Sequence, residues 1–181
     1  MRISTSVLLA GSAIVAIAGA TFVFQATAMG VDRAPPPKTF TQYGQTYQWG
    51  VAHGVTGGLI MSGPPRADGS NVGLVLSCSG LRSGGVVAHL YEPQVDAAQL
   101  RVRTQGAVFR VQRGIETFKG RSYVDGQGDM PDGYLRSLAS TGTVSIEYGD
   151  RVTTFPGPGK ALAEHFGRYC AQLAQRALHD E

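Results

Sequence analysis

Two cysteines in 181 residues, Cys78 and Cys170, constrain this chain more than any other feature. An even pair in an oxidising compartment is ordinarily a disulfide. A bond between positions 92 residues apart restricts the unfolded chain by roughly 4–5 kcal/mol in the loop-entropy account, a large share of one domain's net stability. Other uses of the thiols find little support. The sequence has no C-x-x-C, and His53, His89, His165 and His179 are scattered without the spacing of a zinc site.

Whether the pair oxidises depends on where the chain folds, and the first thirty residues speak to that. Residues 7–24 form an apolar run broken only by Gly11, Ser12, Gly19 and Thr21, with Arg2 as the sole charge before it. The run ends at Ala26-Thr27-Ala28, the small-x-small pattern that signal peptidase accepts. It also exceeds the usual leader core of about 7–15 residues and approaches the roughly 20 that span a bilayer. Ser12, Ala16 and Ala20 recur every four residues, as on a helix face that meets another membrane helix. Residues 1–28 are therefore expected to be a signal peptide or an uncleaved membrane anchor. In both cases the remainder is periplasmic or otherwise extracytoplasmic.

Ala34-Pro35-Pro36-Pro37 favours extended polyproline II and reads as a spacer. Phe40, Tyr43, Tyr47 and Trp49 follow, interleaved with Thr and Gln and interrupted by glycines. Residues 29–68 are expected to be a Pro/Gly-rich linker with irregular aromatic strands, and 69–181 the disulfide-linked domain. Within it, 71–79 and 85–91 are short β-rich runs around a glycine-bounded loop, 100–104 and 107–112 alternate around Gln105-Gly106, and 143–148 and 151–155 flank Gly149-Asp150. Residues 131–140 fit a short helix with proline in its first turn. Residues 159–179 form an amphipathic helix whose stripe of Leu162, Phe166, Tyr169, Cys170 and Leu173 includes the second cysteine. The fold class expected is α+β: an antiparallel sheet or sandwich, a short helix and a disulfide-clamped C-terminal helix.

Chemistry is harder to find. The formal charge of +3 is too small for an electrostatic grip on nucleic acid, so no nucleic-acid partner is expected. Neither G-x-S-x-G nor S-x-x-K occurs. Gly157-Pro158-Gly159-Lys160 resembles the end of a phosphate loop, but Thr154 stands at its first glycine and Ala161 at its metal-binding hydroxyl. No catalytic residue and no cofactor is assigned. Asp125, Asp129 and Asp132 in a glycine-rich stretch are a weak Ca²⁺ candidate, with a solvated acidic loop as the plainer reading. Arg101 and Arg103 share one strand face and Arg110 returns beside them, a candidate surface for an acidic partner, phosphate headgroups or an anionic polymer. Tyr43, Tyr47 and Trp49 form a second candidate surface, since such side chains bury area while keeping polar tips.

The run Leu74 to Ser79 (LVLSCS), the short helix around 133–138, the strand 143–148 and the stretch Phe155-Pro-Gly-Pro-Gly-Lys-Ala-Leu162 before a cysteine-bearing helix resemble the VasI/TagO type VI secretion-associated proteins. In layout the chain is also similar to the invasion-associated locus B proteins. The resemblance implies an exported, non-enzymatic protein, the same fold layout and the Cys78–Cys170 pairing. It implies no functional site.

The function expected is a non-catalytic accessory or binding module of the cell envelope, either free or a single-span subunit of a larger membrane complex. A small periplasmic hydrolase with a non-motif active site is the alternative, and would need His53 or His89 beside a serine or carboxylate. The export reading has a direct outcome: the intact mass of the purified protein places its first residue at Met29. A chain that starts at Met1 and fractionates with membranes identifies 7–24 as an anchor instead.

Overall fold

The computed structural model describes residues 33–54, 57–64, 72–78, 83–88, 99–118 and 121–177. Its strands are β1 (Lys38–Gln42), β2 (Gln45–Ala52), β3 (Gly57–Ser62), β4 (Val72–Cys78), β5 (Ser83–Ala88), β6 (Gln99–Arg103), β7 (Val108–Phe118), β8 (Arg121–Asp129), β9 (Thr143–Tyr148) and β10 (Arg151–Pro156). The helices are α1 (Tyr134–Ser140) and α2 (Lys160–Ala177). All ten strands form one sheet in the order β1-β2-β3-β4-β5-β8-β7-β6-β9-β10, antiparallel throughout. The sheet curls into a nearly closed barrel. The leader at 7–24 lies outside the described residues, among which no helix is long and apolar enough to cross a membrane.

Alternation along the strands builds the interior. Leu74, Leu76 and Cys78 of β4, Leu100 and Val102 of β6, and Val144, Ile146 and Tyr148 of β9 all point inward and are fully buried. The stripe of α2 joins the same cluster through Leu162, Ala163, Phe166 and Cys170. Cys170 is bonded to Cys78 at the end of β4, with Cα atoms 5.7 Å apart, so the terminal helix is clamped to the sheet as expected. The three hairpins and both helices also stand where the sequence places them.

Two stretches differ from expectation. Within 29–68, expected to be a linker with irregular aromatic strands, the strands are regular: β1, β2 and β3 are full members of the sheet, and Trp49, Leu59 and Met61 are fully buried. Glycine obscured the pattern because it serves close packing here, not looping. A Cβ at Gly57 would lie 2.7 Å from the Tyr169 ring and 3.0 Å from Cys78 Sγ. Among the described residues the sheet thus begins with β1, after residues 33–37, which form neither helix nor strand. Likewise β8 is a strand where an acidic loop was expected. Its inward positions are Val124, Gly126 and Gly128, and a Cβ at Gly128 would meet the Arg110 carbonyl at 2.7 Å, so the alternation is present but written in glycine.

The ends of the sheet meet through side chains. Across the seam between β1–β2 and β10, Gln42 Nε2 donates to the Thr154 carbonyl (2.6 Å), Lys38 Nζ to that of Gly157 (2.7 Å) and Trp49 Nε1 to that of Pro156 (2.8 Å). Phe40 stacks on Tyr47 at 5.5 Å, and Phe155 of β10 packs against both at 6.3 and 5.4 Å. These contacts cover two strand edges that would otherwise present unpaired backbone.

Reducing the disulfide, or replacing both cysteines by alanine, is expected to lower stability by about 2–5 kcal/mol in urea denaturation. A difference near zero between oxidised and reduced protein would mean that α2 is held by its apolar face alone.

Candidate functional site

The outward positions of β6 are Gln99, Arg101 and Arg103, because Leu100 and Val102 occupy the core. Register then sets Arg110 of β7 directly opposite Arg101, and Glu147 of β9 opposite Arg101 on its other side. Like charges facing one another across a ladder are destabilising. Glu147 offsets part of this: Arg103 Nε donates to its Oε1 at 2.6 Å and Nη2 to its Oε2 at 3.3 Å, while Arg101 Nη1 stands 3.9 Å away. The hydrogen bond from Arg103, with the fields of Arg103, Arg101 and Arg110, holds the Glu147 carboxyl below its ordinary range. One carboxylate thus serves three exposed guanidiniums among the described residues, and the face stays cationic. Such exposed pairs contribute little to stability. The side chains of Arg113 and Arg121 lie outside the described residues.

The hairpin that carries these arginines is anchored by α1. Thr104, almost fully buried, shares a 2.6 Å hydrogen bond with Ser137, whose Oγ also accepts from the Gly106 N–H. The Gln105 N–H donates to Thr141 Oγ1. Beneath it, the Tyr134 hydroxyl donates to the Val102 carbonyl at 3.3 Å. The β6–β7 turn therefore has its polar groups satisfied and its orientation fixed, which holds the cations in place.

The aromatic candidates divide. Trp49 is not a surface residue: it faces inward on β2, is fully buried and spends its indole N–H on Pro156. Tyr47 is half-buried in the seam, its hydroxyl 3.1 Å from Gln45 Oε1. Tyr43 is 76% exposed at the tip of the β1–β2 hairpin. There Tyr43 and Gly44 both take positive φ, 53° and 72°, the two-residue turn that matches strand twist, at the strain a non-glycine residue carries in that region. The calcium candidate does not assemble. Asp125 and Asp129 lie four residues apart on an extended strand, about 13 Å at the rise of a strand, and Asp132 follows after it. Among the described residues no group of three potential ligands gathers.

A cluster not foreseen from the sequence sits beside the disulfide. His53 Nε2 and the buried His165 Nε2 are 2.9 Å apart. The Tyr169 ring lies 4.6 Å from that of His53. The Tyr169 hydroxyl donates to the Gly54 carbonyl at 2.7 Å and accepts from the Gly54 N–H at 3.2 Å. The segment after β2 is thereby fastened to α2. A histidine on the apolar stripe of α2 was the available signal, but its partner 112 residues away was not legible. His89 lies outside the described residues. His53 meets an imidazole here.

No family model matches the chain, and no curated protein does. Among solved structures the chain is similar to the crystal structure of invasion associated protein B from Bartonella henselae, at 14% identity and a TM-score of 0.37, over 80% of this chain and 99% of that one.

Burial disfavours the charged form of His53 and lowers its pKa, whereas in the unfolded chain it titrates near the ordinary 6.5. The unfolded state therefore binds this proton more readily, and the contribution to stability, complete above about pH 6.5, is lost as pH falls through the folded-state value. NMR titration is expected to place the His53 midpoint below 6.5, and His53→Gln to flatten the fall in urea midpoint between about pH 7 and pH 5. An unchanged slope in that variant would assign the dependence elsewhere.

Proposed function

We propose that this protein is a non-catalytic, extracytoplasmic accessory or binding module of the cell envelope, which presents the face of Arg101, Arg103 and Arg110 to an acidic partner. The carrying observation is the register of β7, β6 and β9. It lines up two guanidiniums directly opposite each other and supplies Glu147 as the neutralising carboxylate. A sheet face selected for stability alone has no reason to oppose like charges. Arginine's planar fork suits carboxylate and phosphate groups.

The disulfide supports an oxidising address. The apolar run at 7–24 supports export and, if retained, attachment as a single-span subunit of a membrane complex. Envelope proteins, including subunits of such a complex, are the proposed partners, with an anionic polymer or headgroup surface offering the same chemistry. Nucleic acid is not proposed, and no cofactor is needed for this role.

Poly-glutamate serves as the simplest acidic probe. The wild-type protein is expected to bind it in a salt-sensitive manner, and the variant Arg101→Ala/Arg103→Ala/Arg110→Ala to lose about tenfold or more in affinity by calorimetry while keeping the wild-type circular dichroism. Equal binding by both proteins would remove the arginine face from the proposal.

A further inference from the structure

Next to the arginine face, on the same outward side of the sheet, β4, β5 and β8 enclose a depression of about 470 Å³, within the size range of small-ligand sites. Register builds it. Ser77 stands opposite Gly85, Gly85 opposite Gln127, and Ser83 opposite Asp129. Gly85 supplies no side chain, so the floor there is bare backbone. A Cβ on Gly85 would sit 2.9 Å from Ser77 Oγ and 3.2 Å from the Gly126 carbonyl. The walls are hydroxyls, an amide and one carboxylate, with the disulfide-bonded Cys78 and three glycines completing the lining and no aromatic or large aliphatic side chain among it.

The row continues out of the depression toward the cations. Gln127 is opposite Gln112 of β7, and Gln112 is opposite Gln99 of β6. Two positions along the same outward face of those strands stand Arg110 and Arg101, also opposite one another. From β5 to β6 this is three strand spacings, about 14 Å. The surface changes character along that path. Serine hydroxyls and Gln127 both donate and accept toward neutral hydroxyl groups, while Asp129 accepts from them and repels an anion. The Gln112 and Gln99 amides follow, with the guanidiniums beyond.

The geometry points to an acidic oligosaccharide as the partner of this surface, with a sugar ring in the Gly85 depression and the carboxylates of neighbouring units on Arg110 and Arg101. An apolar ligand finds no lining to bury against. An acidic peptide has carboxylates for the arginines but lacks the hydroxyls that the serines, Gln127 and Asp129 would pair. The polymer must be longer than one sugar, because the depression and the cations lie on different strands. This inference rests on the binding role of the arginine face and specifies its ligand class.

The test compares a defined hyaluronan oligosaccharide, in which neutral and acidic sugar units alternate, with a poly-glutamate of equal charge by calorimetry at low salt. Wild-type protein is expected to favour the hyaluronan oligosaccharide by about tenfold or more. Ser83→Phe, which fills the depression from an exposed position, is expected to abolish that preference while leaving poly-glutamate binding intact. Gln127→Ala, also exposed, carries the same expectation should Ser83→Phe disturb folding, and Arg101→Ala/Arg110→Ala weakens both probes. Equal affinity of the wild type for the two probes, or a preference untouched by both depression variants, overturns the saccharide inference and leaves the arginine face standing as a binder of acidic partners. Failure of wild-type protein to bind either probe overturns both.

Discussion

The covalent bond between Cys78 and Cys170 joins the end of a strand to the middle of the terminal helix, and much of the remaining architecture is arranged about that point. The same helix buries Leu162, Ala163 and Phe166 into the interior of the curled sheet, so its apolar stripe and its sulfur act on one surface. Gly57 can lie under Tyr169 and beside Cys78 only because it has no side chain. Tyr169 in turn holds Gly54 by both its N–H and its carbonyl, with the His53–His165 contact alongside. Burial of the apolar stripe is worth about 1.5–3 kcal/mol per large side chain, comparable to the bond itself. Helix docking is therefore a joint result of packing and cross-linking, with the bond fixing the register of the helix on the sheet.

At the opposite end of the strand order, closure is achieved without a ladder. β1 and β10 stand at the two ends of the sheet, and the seam is joined by three side-chain donors to β10 and its following turn and by the Phe40–Tyr47–Phe155 stack. Donors and rings supplied from the N-terminal strands thus complete a barrel whose hairpins are mostly C-terminal to them. This is why residues 38–62 are integral to the domain: without them the interior would be open on the side where Trp49 and Met61 now sit fully buried.

The outer face has a different logic from the core. Inward positions are mostly apolar side chains or glycine, with Thr104 a hydrogen-bonded exception, whereas outward positions are open to solvent. On β6 and β7 they are arginine, opposed and only partly neutralised by Glu147. On β5 and β8 they include serine, glycine, glutamine and aspartate around a shallow depression. The hairpin bearing the cations is fixed through Thr104, Ser137 and Thr141, so the charges are displayed on a rigid base, which lowers the ordering cost of binding.

Sequence by itself determined the three hairpins after position 70, both helices, the outward arginines on β6 and β7, and the pairing of the two cysteines. Each of these is set by local periodicity, turn residues or simple parity, which are properties of neighbouring positions. It read 38–62 as irregular strands in a linker and 125–129 as an acidic loop because glycine stood at core-facing positions, as at Gly57, Gly126 and Gly128, and a missing side chain carries no hydropathy signal. It also assigned Trp49 to a surface, since an aromatic among polar residues does not reveal which way its strand faces. Only the tertiary structure decided that β8 inserts between β5 and β7, that Glu147 meets the arginines, and that His53 reaches His165. Those contacts join residues far apart in the chain, and strand register, which no local pattern encodes, selects them.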